Sequence, residues 1–515
     1  MIVFTIYCLL ICFLIYRNGF FGILKDSTLN RTFYLSAFLI KLSGLAAFFI
    51  VYMKMYGTVE HFDTDHYFND SKVIYSVAQW DFAEFVKLMF GFQDDAQDGE
   101  LFTKFIRYTS VWDENKDELL YNDNRLMLRF NALIHFISFN NYFVHALFGV
   151  LLSFIGINWI YKTFKFLFPG KEVWLFAVWL IFPGLWFWSA ALFKEGPALF
   201  CMGLLLISFK RVLAEKQYSV KNILMLFISV ILSFTFKQYV MLPLLFFTLV
   251  FFIIYFKSHI KFNKSILYVL TMLVVFAGAN ITMEKVKGKS IVSVLADRQK
   301  VFLDMSTGGL FLLDSTRFIR LPYDTTLIST TKVTDHLNRY VSIKRGAQFM
   351  YWEHSHQQDT LYCSNNTDTV SEYQLFYTVN KANATIRVKP LGNTVLSLLK
   401  SLPTMVYITI GKPFFVDARN MMDMMASVEN LLILLAIALC IFFVWRFKKL
   451  HPWLVYFISI VAVVLIVIGE TSPNIGAIQR YRVLVVPFLL MCTLLVTPLK
   501  DPAIGGKFFK NRPNN

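Results

Sequence analysis

Apolar residues run almost unbroken over 2–16, 33–55, 142–160, 173–209, 223–256, 266–283, 428–444, 454–469 and 483–496. Runs of this length belong to helices solvated by lipid, and one crossing of the hydrocarbon core takes roughly 20 residues. The runs 173–209 and 223–256 are therefore too long for one helix each and must fold back as hairpins, which predicts about eleven spans. The pattern predicts an all-α polytopic membrane protein with two outward-facing extramembrane segments. In order, it divides into two N-terminal transmembrane helices (1–56), an acidic outward loop with interfacial helices (57–140) and transmembrane helices three to eight (141–283). An outward soluble segment (284–392), an interfacial or re-entrant segment (393–426), transmembrane helices nine to eleven (427–499) and a cytoplasmic tail (500–515) follow.

The polar stretches carry their own periodicity. In the first, "SKVIYSVAQWDFAEFVKLMFG" places Val73, Ile74, Val77, Trp80 and Phe85 on or near one helical face, the pattern of a helix lying in the interface. The second starts as a helix ("SIVSVLADRQKVFLDM") and continues in strand-like alternation, as in "QFMYWEHSH" and "SEYQLFYTV". Segment 393–426 is amphipathic and broken at Pro403 and again at 411–413, which suits a re-entrant element guiding a lipid tail.

Composition agrees with the pattern: 56% of the 515 residues are hydrophobic, 17% are aromatic, and 55 are phenylalanine, which excludes an ordinary soluble globule. The net charge of +16 invites a nucleic-acid partner. The bases, however, gather in short loops, as Arg17/Lys25/Arg31, Lys162/Lys165/Lys171, Lys210/Arg211/Lys216/Lys221, Lys257/Lys261/Lys264, Arg446/Lys448/Lys449 and the tail. With eleven spans, an outside N-terminus and an inside C-terminus, every cluster lies on the cytoplasmic side, so the positive-inside rule accounts for the charge and no nucleic acid is needed. Of six cysteines, five lie in apolar runs and only Cys363 in a long loop, so no disulfide framework or zinc spacing is visible. No small-residue cleavage pattern follows the first run, which reads as a retained span.

Candidate chemistry sits where charge interrupts or borders the apolar runs, because burying a charge in hydrocarbon costs several kcal/mol. Lys194 and Glu195 split "IFPGLWFWSAALFKEGPALFCMGLLL", leaving a second arm of about a dozen residues, roughly 20 Å against a core of roughly 30 Å. Lys237 and Gln238 interrupt the next hairpin in the same way. Two sunken polar tips predict a water-lined, outward-open cavity; the alternative is a pair of interfacial turns with snorkelling lysines. In "HFDTDHYFND", Asp63 and Asp65 can hold a divalent cation (Mg or Mn) through hard oxygen ligands, or one can act as a general base; His61, His66 and Asp70 flank them. In "GETSPNIGAIQRYRVLVVPF", Arg480 and Arg482 make a fork suited to phosphate or diphosphate, near Glu470. Lys41 is assigned to snorkelling, "WEHSH" to a solvated strand rather than a metal site, and Lys412, Asp417 and Arg419 to the cavity mouth.

Through "FPGLWFWSAALFKEGPAL", "TFKQYVMLPL", "GKPFF" with "SVENLLILL", and "NIGAIQRYRVLVVPFLL", the chain resembles polytopic membrane proteins of bacterial (Bacteroidetes-type) surface-polysaccharide clusters. It is more distantly similar to the GT-C glycosyltransferases. The resemblance implies a GT-C-like bundle in the bacterial inner (cytoplasmic) membrane, a polyprenyl-phosphate-linked sugar as donor, a glycan acceptor, and contact with membrane lipid. It also implies Asp63 or Asp65 as base or metal ligand, and Arg480 and Arg482 on the lipid phosphate. In GT-C enzymes the acidic loop follows the first helix, whereas here it follows the second. An O-antigen-type polymerase or ligase, without metal, is the alternative activity, and a lipid-linked glycan transporter a further one.

Overall fold

The structure is a computed structural model. It describes residues 2–26, 28–56, 63–92, 99–112, 123–257, 263–307, seven strands within 310–377, 386, 388–418, 421–447 and 451–501. Side chains within the strands are not described.

Among the described residues, seven helices are long and apolar enough to cross a membrane: Arg31–Lys54, Tyr142–Leu167, Glu195–Ala214, Gln238–Phe256, Lys264–Val286, Met421–Phe447 and Pro452–Thr471. The pair Ile475–Arg482 and Val486–Val496, bent by 53°, makes an eighth if it is one broken span. Ile2–Arg17, Val220–Thr235 and Val395–Gly411 are apolar but shorter. Among the described residues, seven or eight helices thus have the length of a span, against the expected eleven. One reason is local: the first arm of the 173–209 hairpin breaks into Glu172–Leu180 and Pro183–Trp188, because Pro183 donates no N–H and is tolerated only in the first turn of a new helix. The second arm is longer than expected, running from Glu195 through a π turn at Lys210–Ala214.

The chain divides into two compact units, and each is described by itself. The first comprises Met1–Leu273, Leu431–Val464 and Val483–Asn515. At its centre the Tyr142–Phe164 and Glu195–Phe209 helices touch backbone to backbone. A Cβ added at Gly156 would lie 2.2 Å from the carbonyl oxygen of Leu199, one at Gly203 2.4 Å from that of Gly156, and one at Gly196 2.8 Å from that of Gly149. Gly149/Gly156 and Gly196/Gly203 repeat every seven residues, so each pair lies on one helical stripe, and removing side chains there lets dispersion act at the shortest range. The many aromatics find one another elsewhere in the unit: Phe251 stacks near Trp453 and Tyr456 at 4.7 and 4.6 Å, and the Tyr456 hydroxyl meets Thr248 at 2.7 Å. Asp501 accepts from the backbone N–H groups of Glu172 and Val173 at 3.0 and 3.1 Å, capping that helix from 328 residues away.

The second unit comprises Val274–Asn430 and Leu465–Arg482. After a helix at Ile291–Thr307, seven strands build one antiparallel sheet: β1 (Leu310–Leu312), β2 (Arg317–Arg320), β3 (Ile328–Val333), β4 (Asn338–Ile343), β5 (Gln348–Glu353), β6 (Gln358–Tyr362) and β7 (Ser371–Tyr377). Their order is β3-β4-β7-β1-β2-β5-β6, three hairpins joined by β7 and by the β2–β5 pairing. The all-α expectation thus describes the apolar helices, and the alternating stretches of 284–392 add the sheet. Pro403 does not break its helix, which runs Val395–Val406 and continues as a π turn to Gly411. The chain does change direction at 411–413, where Asn430 Nδ2 donates to the carbonyls of Gly411 and Pro413 at 3.1 and 2.9 Å.

Candidate functional site

The two charged tips meet. Glu195 begins its helix fully buried, and Lys237, 4% exposed, occupies the break between Val220–Thr235 and Gln238–Phe256. Lys237 Nζ donates to Glu195 Oε1 at 2.9 Å and to the Tyr239 hydroxyl at 3.1 Å. Lys237 is left-handed, with φ of +42°, a conformation that costs a side-chain-bearing residue about 1 kcal/mol or more. The buried carboxylate it reaches is what the strain secures. Lys194, adjacent in sequence, takes a different partner: its Nζ lies 2.5 Å from Asp123 Oδ1 and 5.8 Å from the Tyr67 ring, and the Tyr67 hydroxyl donates to Asn124 Oδ1 at 3.0 Å. The Lys194/Glu195 pair is thus two buried or half-buried ion pairs that tie the helix start to two different elements.

Lys41 does not snorkel. It is fully buried, and its ammonium donates to the carbonyls of Leu185 and Trp186 and lies 2.5 Å from Ser189 Oγ. These carbonyls lie in the last turn of the Pro183–Trp188 helix, where a cation complements the helix end, and that of Leu185 also accepts from the Ser189 N–H at 3.2 Å. Lys41 therefore props the turn that leads into Lys194 and Glu195.

Asp63 and Asp65 stand in the first turn of a helix, Asp63–Trp80, rather than in a loop. Residues two apart on a helix face different directions, so the two carboxylates leave the helix on different sides. Their neighbours differ accordingly. Asp63 is one turn before Tyr67, on the face that carries the Lys194 contact, while Asp65 accepts from Asn69 Nδ2 at 2.8 Å. Among the described residues no group of three or more His, Cys, Asp or Glu is placed to hold a metal ion. The same helical geometry separates Arg480 from Arg482 on Ile475–Arg482. Arg482 is fully buried, donating to the Thr409 carbonyl at 2.6 Å, to Glu429 Oε1 at 3.1 Å and to Asn430 Oδ1. Its guanidinium fastens the end of the Val395–Gly411 helix instead of forming a fork. Arg480 is half-buried. Glu470 accepts from Ser401 and Gln299, and Lys412 pairs with Asp417 at 3.3 Å. His61, Arg419, His354, His356 and Cys363 lie outside the described residues.

Sequence reasoning missed the polar network on the inner face of the Asp63–Trp80 helix. Asp70 accepts from the N–H groups of Ser110 and Val111 at 2.9 and 2.8 Å, and the Ser110 hydroxyl meets His66 Nδ1 at 2.9 Å. Burial raises the Asp70 carboxyl above its ordinary range despite those donors. His135, on the Asp123–Ser138 helix, places Nε2 3.1 Å from Ser71 Oγ and 3.3 Å from the Phe68 carbonyl. Burial, helped by Lys72, lowers its pKa to about 4 although the Phe68 carbonyl opposes this. The folded protein then binds fewer protons than the unfolded chain between about 4 and the ordinary 6.5. Stability from this site is full above pH 6.5 and is lost as pH falls toward 4, by at most about 1.4 kcal/mol per pH unit. Thermal unfolding of detergent-solubilised protein at pH 7, 6, 5 and 4.5 is expected to show that slope, and His135→Gln to flatten it. Parallel curves for the two proteins would refute the assignment.

The long apolar helices and the charges enclosed among them make this a multi-pass membrane protein. No family model matches the chain, and neither a curated protein nor a solved structure matches it.

Proposed function

We propose that the protein is an integral-membrane glycosyltransferase of cell-surface polysaccharide assembly that takes its sugar from a polyprenyl-phosphate-linked donor. In this reading it has a GT-C-like bundle and lies in the bacterial inner membrane with its N-terminus outside and C-terminus inside, so that Asp63 faces outward. The observation that carries the proposal is the pairing of Lys194 with Asp123 beside Tyr67, on the helix face that also presents Asp63. A cation and a carboxylate placed together at the start of an apolar helix suit a ligand with a phosphate head and a hydrocarbon tail.

The acceptor hydroxyl gives its proton to Asp63 as its oxygen bonds to the anomeric carbon. The bond from that carbon to the donor phosphate breaks, and the phosphate leaves with the electron pair, stabilised by Lys194, whose partly exposed ammonium exchanges Asp123 for the phosphate. Glu195 and Lys237 hold the helix start in place. Arg482, fully buried and held by Thr409, Glu429 and Asn430, takes no part.

General-base catalysis contributes about 10²- to 10⁴-fold. Asp63→Asn is therefore expected to lower sugar transfer from a polyprenyl-phosphate donor by at least about 10²-fold, and Asp65→Asn by less than about tenfold. Full activity of both variants would remove the acidic residues from the chemistry. The same separation of Asp63 from Asp65 supports a second reading, a metal-independent polysaccharide polymerase or ligase of the O-antigen type. Purified protein that transfers a monosaccharide supports the first, and transfer of only preformed glycan the second.

A further inference from the structure

At the other end of the Glu195–Ala214 helix lies a cavity of about 580 Å³. Lys210, on its wall, is fifteen residues after Glu195, about 22 Å away along the axis, so the cavity is separate from the site above. Six cations line it: Lys25, Arg31, Lys162, Lys165, Lys210 and Arg211. They come from three stretches far apart in sequence, the turn before Arg31–Tyr56, the end of the Tyr142–Phe164 helix, and the π turn Lys210–Ala214.

The positive-inside rule places bases on one side of a membrane but leaves them free to spread through water. Here they converge, and only two carboxylates, Asp26 and Glu215, are on the lining to offset them. Asp26 is engaged by Lys165 at 2.7 Å and Glu215 by Lys210 at 3.3 Å. Lys165 and Lys210 have side chains only 28% and 16% exposed, so solvent screens their repulsion incompletely. Burial raises the Asp26 carboxyl, but Lys165 and Thr28 outweigh it and hold the group below its ordinary value, as a carboxylate. Lys162 Nζ is aligned by the Ile23 carbonyl at 2.8 Å. The wall also has apolar members, Ile15, Leu24, Leu29 and Ile207.

We infer that this cavity binds a phosphate- or diphosphate-bearing ligand, whose charge offsets the surplus of four cations and whose oxygens accept from them in several directions. The ligand is either the headgroup of an anionic membrane lipid or a soluble phosphate compound, and the two share this chemistry.

The test uses purified full-length protein. One arm measures inorganic pyrophosphate binding by calorimetry, and the other measures phosphatidylglycerol retained in native mass spectra from mixed phosphatidylcholine and phosphatidylglycerol nanodiscs. Binding in either arm that weakens at least tenfold in Lys210→Gln/Arg211→Gln supports the inference, and the arm that responds identifies the source. Arg31→Gln, at an exposed position on the rim, is expected to weaken it severalfold and keeps the test valid if the double variant misfolds. Lys216→Gln/Lys221→Gln, on exposed positions outside the cavity lining, is expected to change nothing. No binding in either arm, or equal loss in the Lys216/Lys221 variant, overturns the inference.

Discussion

Gly156→Val is expected to prevent assembly of the first unit, and Gly203→Val to do the same. The reason is that the obstacle at both positions is main chain. A Cβ at Gly156 would meet the Leu199 carbonyl oxygen at 2.2 Å and its carbon at 2.4 Å, and a Cβ at Gly203 would meet the backbone of Gly156 from 2.4 Å outward. No side chain can rotate to make room, so the two helices must part along their whole contact. Overpacking in an ordinary core costs about 1–3 kcal/mol because neighbours yield; where only backbone can yield, the loss is expected above about 3 kcal/mol, comparable with much of a domain's stability. The check is the melting temperature and monodispersity of detergent-solubilised protein, with Gly278→Val as control, since nothing lies within 4 Å of a Cβ there. If Gly156→Val melts like the wild type, the backbone contact is not what holds the pair. The same contact sets the site: Gly196 packs on Gly149 immediately after Glu195, so parted helices withdraw Glu195 from Lys237.

The long apolar helices are legible in the sequence, because they follow from run length alone. The arms that follow Lys194 and Lys237 are span-length helices, Glu195–Ala214 and Gln238–Phe256, so the burial of Glu195 and Lys237 comes from their pairing inside the protein rather than from short arms. Which charges pair was not legible, since Glu195 and Lys237 are 42 residues apart, Lys194 and Asp123 are 71 apart, and the partners of Lys41 lie 144 to 148 residues away. Lys41 has the sequence setting of a snorkelling lysine, because its own helix says nothing of the carbonyls it meets. As sequence, the two i, i+2 pairs, Asp63/Asp65 and Arg480/Arg482, suggest convergent groups. That reading holds for extended chain, where alternate side chains share a face, and fails on a helix. Both pairs turned out to be helical. The seven-residue glycine repeats were legible in principle: two glycines on one stripe in each of two neighbouring apolar helices signal close approach.

Neutralising one member of the Glu195–Lys237 pair is expected to cost about 3–5 kcal/mol, because the other charge is left buried without its counterion. Glu195→Met strands Lys237 at 4% exposure, and Lys237→Met strands a fully buried Glu195. Replacing both charges together removes the electrostatic penalty, and well-packed apolar substitutes for a buried ion pair are often neutral or stabilising. Glu195→Met/Lys237→Met is thus expected to melt within about 1 kcal/mol of the wild type, an interaction of several kcal/mol in a double-mutant cycle. Activity separates two roles that stability cannot. If the pair only positions the helix start, the double variant regains sugar transfer together with its fold. If Lys237 or Glu195 touches the substrate, the double variant is stable and inactive. A double variant less stable than either single one would show that the hydrogen bond to Tyr239 and the left-handed backbone at Lys237, rather than the charge pair, hold this junction.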